Sequence, residues 1–245
     1  MAMFNLEKEA AKVRFILEKR AMKKIMATVC LDLDISGSMQ NLYGNGTVQK
    51  VVERIIPIAL NFDDNGELDI YTFASGTSFC KVENATRDNY DGYVEEKILR
   101  NSRVAKWGGT DYSPVLEANL NEYGFYQEVK IGGFMGFGGK TETTLQSASE
   151  SGLPAIVFFI TDGENSDKKE TDRLLRQCQE AGSNIYFLFI GIGNESFQFL
   201  NEIGDRYSNT GFLKIDDISK ATSDDAIYES LLPDELTEWL KAKEA

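Results

Sequence analysis

Two apolar runs in this chain each lead into a loop that carries an aspartate. Residues 25–33 precede Asp34, and residues 153–161 precede Asp162. The second run is continuously apolar, which is typical of a parallel strand buried on both faces of an α/β sheet. Loops that follow such strands lie at the carboxyl edge of the sheet, where α/β folds bind ligands. If the two strands are neighbours, their carboxylates converge at one edge.

The loop after the first run places oxygen atoms at alternate positions. It carries Asp34, Ser36 and Ser38 within the sequence LDISGSM. Carboxylate and hydroxyl oxygens suit a hard cation such as Mg²⁺. Gly37 and Ser38 are expected to supply the sharp turn that folds the backbone over the ion. The amphipathic pattern of residues 47–62 predicts a helix directly after this loop.

A third loop lies between the first two along the chain. It contains Gly109, Thr110 and Asp111, and it opens another predicted helix. Thr110 therefore offers a further hydroxyl at the same edge of the sheet.

Asp32 interrupts the first apolar run. It lies two positions before Asp34, so both side chains project from the same face of the strand. Asp32 is either a buried acid satisfied by nearby backbone or hydroxyl groups or an acceptor that orients a water on the metal. The strand pattern leaves both interpretations open.

The three loops together resemble the metal-ion-dependent adhesion site of von Willebrand factor A domains. The matching features are D-x-S-x-S from Asp34 to Ser38, the threonine of a Gly-Gly-Thr loop at Thr110, and Thr-Asp-Gly around Asp162. The flanking segments LDISGSMQNLYGNGTVQKVVERIIPIALNF, FFITDGENSDKKET and FLFIGIGNESFQFLNEI are similar to the tellurium-resistance, TerF-like branch of that superfamily. The resemblance implies a three-layer, Rossmann-like α/β fold. Its mostly parallel six-stranded sheet would have one short antiparallel edge strand and helices on both faces.

The resemblance also implies a ligand set for Mg²⁺, with Mn²⁺ or Ca²⁺ as alternatives. The metal ligands would be Asp34, Ser36, Ser38, Thr110 and Asp162. The two serine hydroxyls would bind directly, the threonine would join when a partner is engaged, and the aspartates would act directly or through waters. The surrounding or rim residues would be Asp32, Gly37, Gly109, Asp111, Gly163 and Glu164.

A site with few direct carboxylates leaves the ion electrophilic, with one position open to an Asp or Glu of a partner protein. We therefore expect divalent-metal-dependent protein binding, without catalysis. The TerF-like resemblance implies a role in a tellurite- or stress-resistance system.

Composition disfavours several other classes of function. The formal net charge of the 245 residues is −13, which argues against binding to nucleic acid or to an anionic membrane. The chain has no histidine, so Ser-His-Asp catalysis, Cys-His catalysis and histidine-ligated zinc are ruled out. No run of about 18 apolar residues predicts a membrane-spanning helix. The first residues lack the apolar region of a signal peptide, so we expect a cytoplasmic protein.

Two alternative functions stay open. Asp32 and Asp34 after an apolar strand also resemble the first motif of haloacid-dehalogenase-like phosphatases, Mg²⁺-dependent hydrolases in which one Asp is the nucleophile and the other an acid/base. That family has no role for Ser36, Ser38 or the Thr-Asp-Gly loop. The other alternative is a metal-independent scaffold, which would bind its partner in the presence of EDTA. The intact set of oxygen ligands argues against it.

The chain is predicted to form one α/β domain with two additions. Residues 1–23 are interpreted as a helical extension, and residues 24–245 as the von Willebrand factor A-like domain. Residues 89–100 are predicted to form a helix. A glycine-rich insertion covers about residues 124–152.

The insertion contains a Gly-Lys-Thr sequence at residues 139–141. A phosphate loop requires glycine at the position held by Phe134, so nucleotide binding is disfavoured. Phe134, Met135 and Phe137 are instead interpreted as adhesive side chains. Because the preceding helix descends from the metal edge of the sheet, the insertion should begin at the opposite edge.

Overall fold

A six-stranded sheet lies at the centre of the molecule. The computed structural model describes residues 4–22, 25–62, 65–123, 126–131, 140–145, 152–216 and 224–243. The strand order is β3-β2-β1-β6-β7-β8, in which β3 is antiparallel to β2 and the other pairs are parallel. The strands are β1 (Thr28–Asp34), β2 (Asp69–Phe73), β3 (Phe79–Lys81), β6 (Ala155–Thr161), β7 (Ile185–Ile192) and β8 (Thr210–Ile215). The predicted sheet, with its short antiparallel edge strand, is confirmed.

Helices cover both faces of the sheet, which confirms the three-layer arrangement. They are α1 (Leu6–Lys19), α2 (Gln40–Gly44), α3 (Thr47–Phe62), α4 (Ser113–Glu122), α5 (Lys168–Glu180), α6 (Gln198–Arg206), α7 (Asp224–Leu231) and α8 (Asp234–Lys243). Side chains of α1, α3, α7 and α8 share one apolar core, and those of α4, α5 and α6 share the other. None of the helices in the described part of the chain is long and apolar enough to cross a bilayer.

The two apolar runs found in the sequence are neighbouring central strands. β1 pairs with β6 in parallel, and Leu33 lies opposite Ile160. All seven residues of β6 are buried, as expected for a strand with helices on both sides. The loops that carry Asp34 and Asp162 therefore leave the sheet at the same edge.

Helix α1 packs against α3 and α7, and its apolar side joins the core on that face of the sheet. Glu9, although buried, is paired with Lys12 and with Arg54 of α3. The boundary at residue 23 between an extension and the domain stays a prediction.

Three local structures differ from the sequence analysis. The helix predicted for residues 89–100 is a π-helical turn at Val94–Leu99, with Val94 N–H bonded to the side chain of Gln49 rather than to a regular preceding turn. Helix α2 was not predicted, because its five residues are too few for a periodic signal. Within the insertion, β4 (Tyr126–Ile131) and β5 (Lys140–Leu145) form an antiparallel pair of their own, which was also not predicted.

The insertion begins at the edge of the sheet opposite the oxygen-rich loops. Tyr123, at the end of α4, donates its hydroxyl to Asp69 at the start of β2 over 3.3 Å. Where the chain returns, the Gly152 carbonyl accepts from the Asn184 amide, just before β7. The edge at which the insertion was predicted to begin is confirmed by these two flanking contacts. Phe134, Met135, Phe137 and Gly139 lie outside the described residues.

The close approach of α6 to β8 generates a test of packing. A Cβ at Gly204 would lie 2.7 Å from Phe212 Cβ and 2.9 Å from Phe212 N, and backbone cannot yield as a side-chain tip can. We expect Gly204→Ala to lower the free energy of unfolding by about 1–3 kcal/mol. Gly44→Ala is the matched control, since nothing lies within 4 Å of a Cβ there. Urea denaturation of both variants measures the difference, and equal midpoints would contradict the contact.

Candidate metal centre

Asp34, the last residue of β1, is fully buried and held by two hydrogen bonds. One carboxylate oxygen accepts from the Ser36 backbone N–H at 2.7 Å. The other accepts from the Thr161 hydroxyl at 2.6 Å. Because Thr161 is the last residue of β6, this bond links the ends of the two central strands and fixes the plane of the carboxylate.

A chain of oxygen atoms runs from Ser36 to the opposite loop. The hydroxyls of Ser36 and Ser38 are 3.1 Å apart, and Ser38 donates to an Asp162 carboxylate oxygen at 2.7 Å. Ser36 is buried, Ser38 is exposed and Asp162 is half-buried. The four side chains of Asp34, Ser36, Ser38 and Asp162 are thus brought together, from a buried floor to the surface.

The Thr110 loop lies against this group through its backbone. Trp107 N–H donates to the Ile35 carbonyl at 2.8 Å, and Gly37 N–H donates to the Gly108 carbonyl at 2.9 Å. The Thr110 carbonyl accepts from Ser166 N–H at 3.0 Å. Within the described residues the Thr110 hydroxyl has no hydrogen-bond partner, so the fifth predicted ligand stands beside the other four without contacting them.

One glycine of the site acts by being small. Gly37 does not adopt a positive φ, so the conformational freedom expected of it is not used. A Cβ at Gly108 would lie 3.2 Å from the Ser75 hydroxyl, and one at Gly109 would lie 3.4 Å from Ser75 Cβ. A Cβ at Gly163 would meet nothing within 4 Å. Gly108 therefore allows the neighbouring loop to approach closely, whereas a Cβ at Gly109 would make only an ordinary van der Waals contact.

Asp111 joins three loops through its carboxylate. One oxygen accepts from Gly76 N–H at 2.6 Å, and the other accepts from the Ser166 hydroxyl at 2.5 Å. Asp111 therefore holds the Thr110 loop between the loop after β2 and the loop after β6.

Glu164 forms a hydrogen bond with the first turn of the neighbouring helix α6. Its carboxylate accepts from Phe199 N–H at the first turn of α6 over 3.3 Å and pairs with Lys168. Both partners hold the pKa of Glu164 below its usual value, Lys168 more than Phe199.

Asp32 is buried beneath the site. One oxygen accepts from the Asn119 amide at 2.5 Å, and the other lies 3.6 Å from the Cys30 thiol, which donates to it. Asp32 is therefore a buried acid, as the first interpretation from the sequence held, but its partners are an amide and a thiol rather than the backbone or hydroxyl groups expected there. Burial raises the pKa of Asp32 to about 8, despite the opposing hydrogen bonds.

Burial also raises the pKa of the two predicted carboxylate ligands. Burial raises the pKa of Asp34 to about 6, opposed by the hydrogen bonds from Thr161 and Ser36. Burial likewise raises the pKa of Asp162, opposed by the hydroxyl of Ser38. A cation placed among these oxygens would favour both ionised forms.

The donor set fits a hard divalent cation. No group of three or more His, Cys, Asp and Glu side chains with metal-binding placement occurs in the described ranges. The site instead combines two carboxylates with two hydroxyls, and all-oxygen donors suit Mg²⁺ or Mn²⁺. The hydroxyl of Tyr43, buried in α2, has no hydrogen-bond partner among the described residues, which leaves one more oxygen available.

Four residues of the site were missed by the sequence analysis. Thr161 was within the quoted Thr-Asp-Gly motif, and its hydroxyl on a buried strand end was the available signal. Tyr112 donates its hydroxyl to the Gly163 carbonyl at 2.6 Å. Asp167 accepts from the first N–H groups of α4. The fourth residue is Tyr43. No local sequence pattern indicates that Tyr112, Asp167 or Tyr43 lies at the site.

A match to a known protein family includes all three loops of the site. The vWA-TerF-like family, described as the von Willebrand factor A domain found in the TerF C terminus, matches residues 26–137 and 140–245. The protein YcbR of Bacillus subtilis (strain 168), described as uncharacterized, is 38% identical over 251 residues. That alignment covers 100% of this chain and 89% of YcbR.

Solved structures support the fold. Proximal thread matrix protein 1 from the mussel byssus superposes with a TM-score of 0.53 at 16% identity, covering 85% of this chain and 48% of that chain. The chain therefore spans about half the length of the mussel protein. A second crystal form of that protein gives a TM-score of 0.51 at 16% identity, covering 84% of this chain and 47% of that chain.

The buried Asp32 generates a prediction about pH. Its pKa of about 8 lies above the ordinary value of 3.8, so the folded protein binds a proton that the unfolded chain releases between those values. Its contribution to stability is therefore complete below pH 4 and is lost as the pH rises to about 8. Asp32→Asn should flatten this slope and raise the metal-free stability at pH 8 by about 2 kcal/mol or more. Urea denaturation in EDTA across this range measures it, with the exposed Asp205→Asn as control. Parallel slopes for Asp32→Asn and wild type would refute the prediction.

Proposed function

Because this chain belongs to the vWA-TerF-like family, we propose that it is a divalent-metal-dependent protein-binding module. The observation that carries the proposal is the connected group formed by Asp34, Ser36, Ser38 and Asp162 at the carboxyl edge of the sheet. Von Willebrand factor A-like domains are often metal-dependent and mediate protein interactions. The proposal adds to that general property a named set of ligands and a mode of partner binding.

The proposed ligands divide into a floor and a rim. Ser36 and Asp34 form the buried floor, where Thr161 and the Ser36 N–H orient the carboxylate. Ser38 and Asp162 form the rim that a partner can reach. A bound Mg²⁺ would supply an electrophilic coordination position, open to an Asp or Glu side chain of the partner. The neutral hydroxyls matter here because each added carboxylate would reduce the attraction for the partner's charge.

We propose a binding role rather than a catalytic one. The phosphatase alternative needs Asp32 and Asp34 to act on a substrate together, yet Asp32 has no exposed surface and takes bonds from Asn119 and Cys30. A small phosphate ester with Mg²⁺ should therefore show no turnover. Turnover that Asp32→Asn abolishes would favour the phosphatase instead.

The biological setting is proposed from the family alone. Membership of a TerF-related family favours a tellurite- or stress-resistance system, and we place the interaction in the cytoplasm. The net charge of −13 supports a protein partner rather than nucleic acid.

Metal titration is the direct test of the site. Calorimetry with Mg²⁺, Mn²⁺ and Ca²⁺ should detect weak, saturable binding to the wild type. Asp34→Ala and Asp162→Ala should each weaken it by about tenfold or more, because each removes a charged oxygen from the ligand group. Asp205→Ala, which removes an exposed carboxylate from the far end of α6, is the matched control. Equal affinities for Asp162→Ala and Asp205→Ala would contradict the proposed ligand set.

Partner capture tests the proposed mode of binding. Partners retained by the wild type with Mg²⁺ should be lost on addition of EDTA, and should be absent with Asp34→Ala. Asp205→Ala should retain them. Capture that is indifferent to EDTA would favour the metal-independent scaffold.

A further inference from the structure

Tyr43 presents a buried hydroxyl that no described residue satisfies. The side chain is 4% exposed, and its oxygen has no hydrogen-bond partner in the described part of the chain. A buried polar group left without a partner costs about 1–3 kcal/mol. The buried hydroxyl is therefore unfavourable unless a group outside the polypeptide forms a hydrogen bond with it.

The backbone places Tyr43 directly behind the oxygen-rich loop. Helix α2 begins two residues after Ser38, and Tyr43 N–H donates to the Met39 carbonyl at 3.1 Å. The ring packs edge-on against Trp107, with 5.6 Å between centroids. Trp107 is itself fixed by its N–H bond to Ile35, and its backbone adopts φ +66°, a conformation that bulky residues rarely adopt.

The hydroxyl lies within the electrostatic field of the site. Burial raises the pKa of the Tyr43 phenol, and the nearby charge of Asp34 raises it further. Asp34 is the charged group that acts on this phenol, although the two side chains make no hydrogen bond. The hydroxyl is therefore near the predicted ligands but too far to be satisfied by them.

Tyr112 supplies a useful contrast. It is equally buried beside the same loops, but its hydroxyl reaches the Gly163 carbonyl at 2.6 Å and the Thr161 hydroxyl at 3.3 Å. A tyrosine at this edge of the sheet can thus be satisfied by protein atoms. The Tyr43 hydroxyl is not satisfied by protein atoms, which indicates a hydrogen-bond partner that enters the site together with a bound ligand.

We propose that Tyr43 is a positioning residue of the metal centre, whose hydroxyl forms a hydrogen bond with the hydration shell of the bound cation. The inference rests on the proposed function and names one more residue of that site. Mg²⁺ retains several waters in protein sites, and groups that bond to such waters orient them. A phenol does this without adding negative charge, so it would preserve the attraction for a partner's carboxylate.

Tyr43→Phe in the full chain tests the inference, because it removes one oxygen and keeps the ring against Trp107. Calorimetric titration with Mn²⁺ and with Mg²⁺ should give a dissociation constant about tenfold higher than that of the wild type. Urea denaturation in EDTA should show metal-free stability equal to or above that of the wild type, since an unsatisfied hydroxyl has been removed. A tyrosine with a purely structural role would change stability and leave the affinity for metal unaltered.

Tyr228→Phe is the matched control. Tyr228 lies in α7 and is also fully buried, but its hydroxyl has Glu9 and Arg54 as charged neighbours rather than the oxygen-rich loop. Its variant should bind metal as tightly as the wild type. If Tyr43→Phe also does so while Asp34→Ala fails to bind, the inference is wrong and the proposed site stands. If the wild type binds neither ion, the proposed metal dependence and this inference fail together.

Discussion

The parallel pairing of β1 with β6 is the constraint on which the site depends. It sets the ends of two strands side by side, and the 2.6 Å bond from Thr161 to Asp34 joins those ends. From there Ser38 can reach Asp162 across 124 residues of sequence. Both strands are buried on each face, so their register is specified by two apolar cores at once. A one-residue slip would reverse the faces of every side chain and separate the two loops.

The same burial that fixes the strands makes the carboxylates unfavourable in the absence of a cation. Asp34 and Asp162 form no ion pair with a basic side chain in the described ranges, and burial raises the pKa of each. Desolvated acids of this kind lower the stability of the metal-free protein, because no positive charge offsets their burial. A divalent cation would offset it. Relief of this unfavourable burial would therefore contribute to the affinity for a cation. The rigid fold keeps the oxygens together in the absence of the cation.

The sequence predicted the parts of the site that are local and missed the parts that are tertiary. Asp34, Ser36 and Ser38 lie within five residues after an apolar run, and Asp162 follows a second run, so pattern and position both predicted that these side chains would lie at one edge of the sheet. The six-stranded sheet was expected from the resemblance to von Willebrand factor A domains. Tyr43 and Asp167 could not be found this way, because their roles arise from contacts with distant chain segments and their surroundings carry no periodic signal.

The expectations for Gly37 and for residues 89–100 were wrong for the same reason: the local structure depends on contacts with distant segments of the chain. Gly37 was expected to supply a sharp turn through the conformational freedom of glycine, but it does not adopt a positive φ. The glycine whose small size is used is Gly108, which makes room for Ser75 on a neighbouring loop. The segment Val94–Leu99 has a helical pattern but winds as a π-helix, and its first N–H group is bonded to the side chain of Gln49 in α3, a contact that the local sequence does not indicate.

The Thr110 loop connects the stability of the site with its proposed action. Its backbone is anchored on both sides, by Asp111 to Gly76 and by the Thr110 carbonyl to Ser166, whereas the Thr110 hydroxyl has no partner in the described structure. A hydroxyl on an anchored backbone can turn toward a ligand by rotation about χ1, which costs far less than moving a loop. The anchors also link this loop to the one that carries Asp162, through Ser166. A partner that displaced the Thr110 backbone would therefore disturb the Asp162 side of the site, and the arrangement favours engagement by side-chain rotation over loop movement.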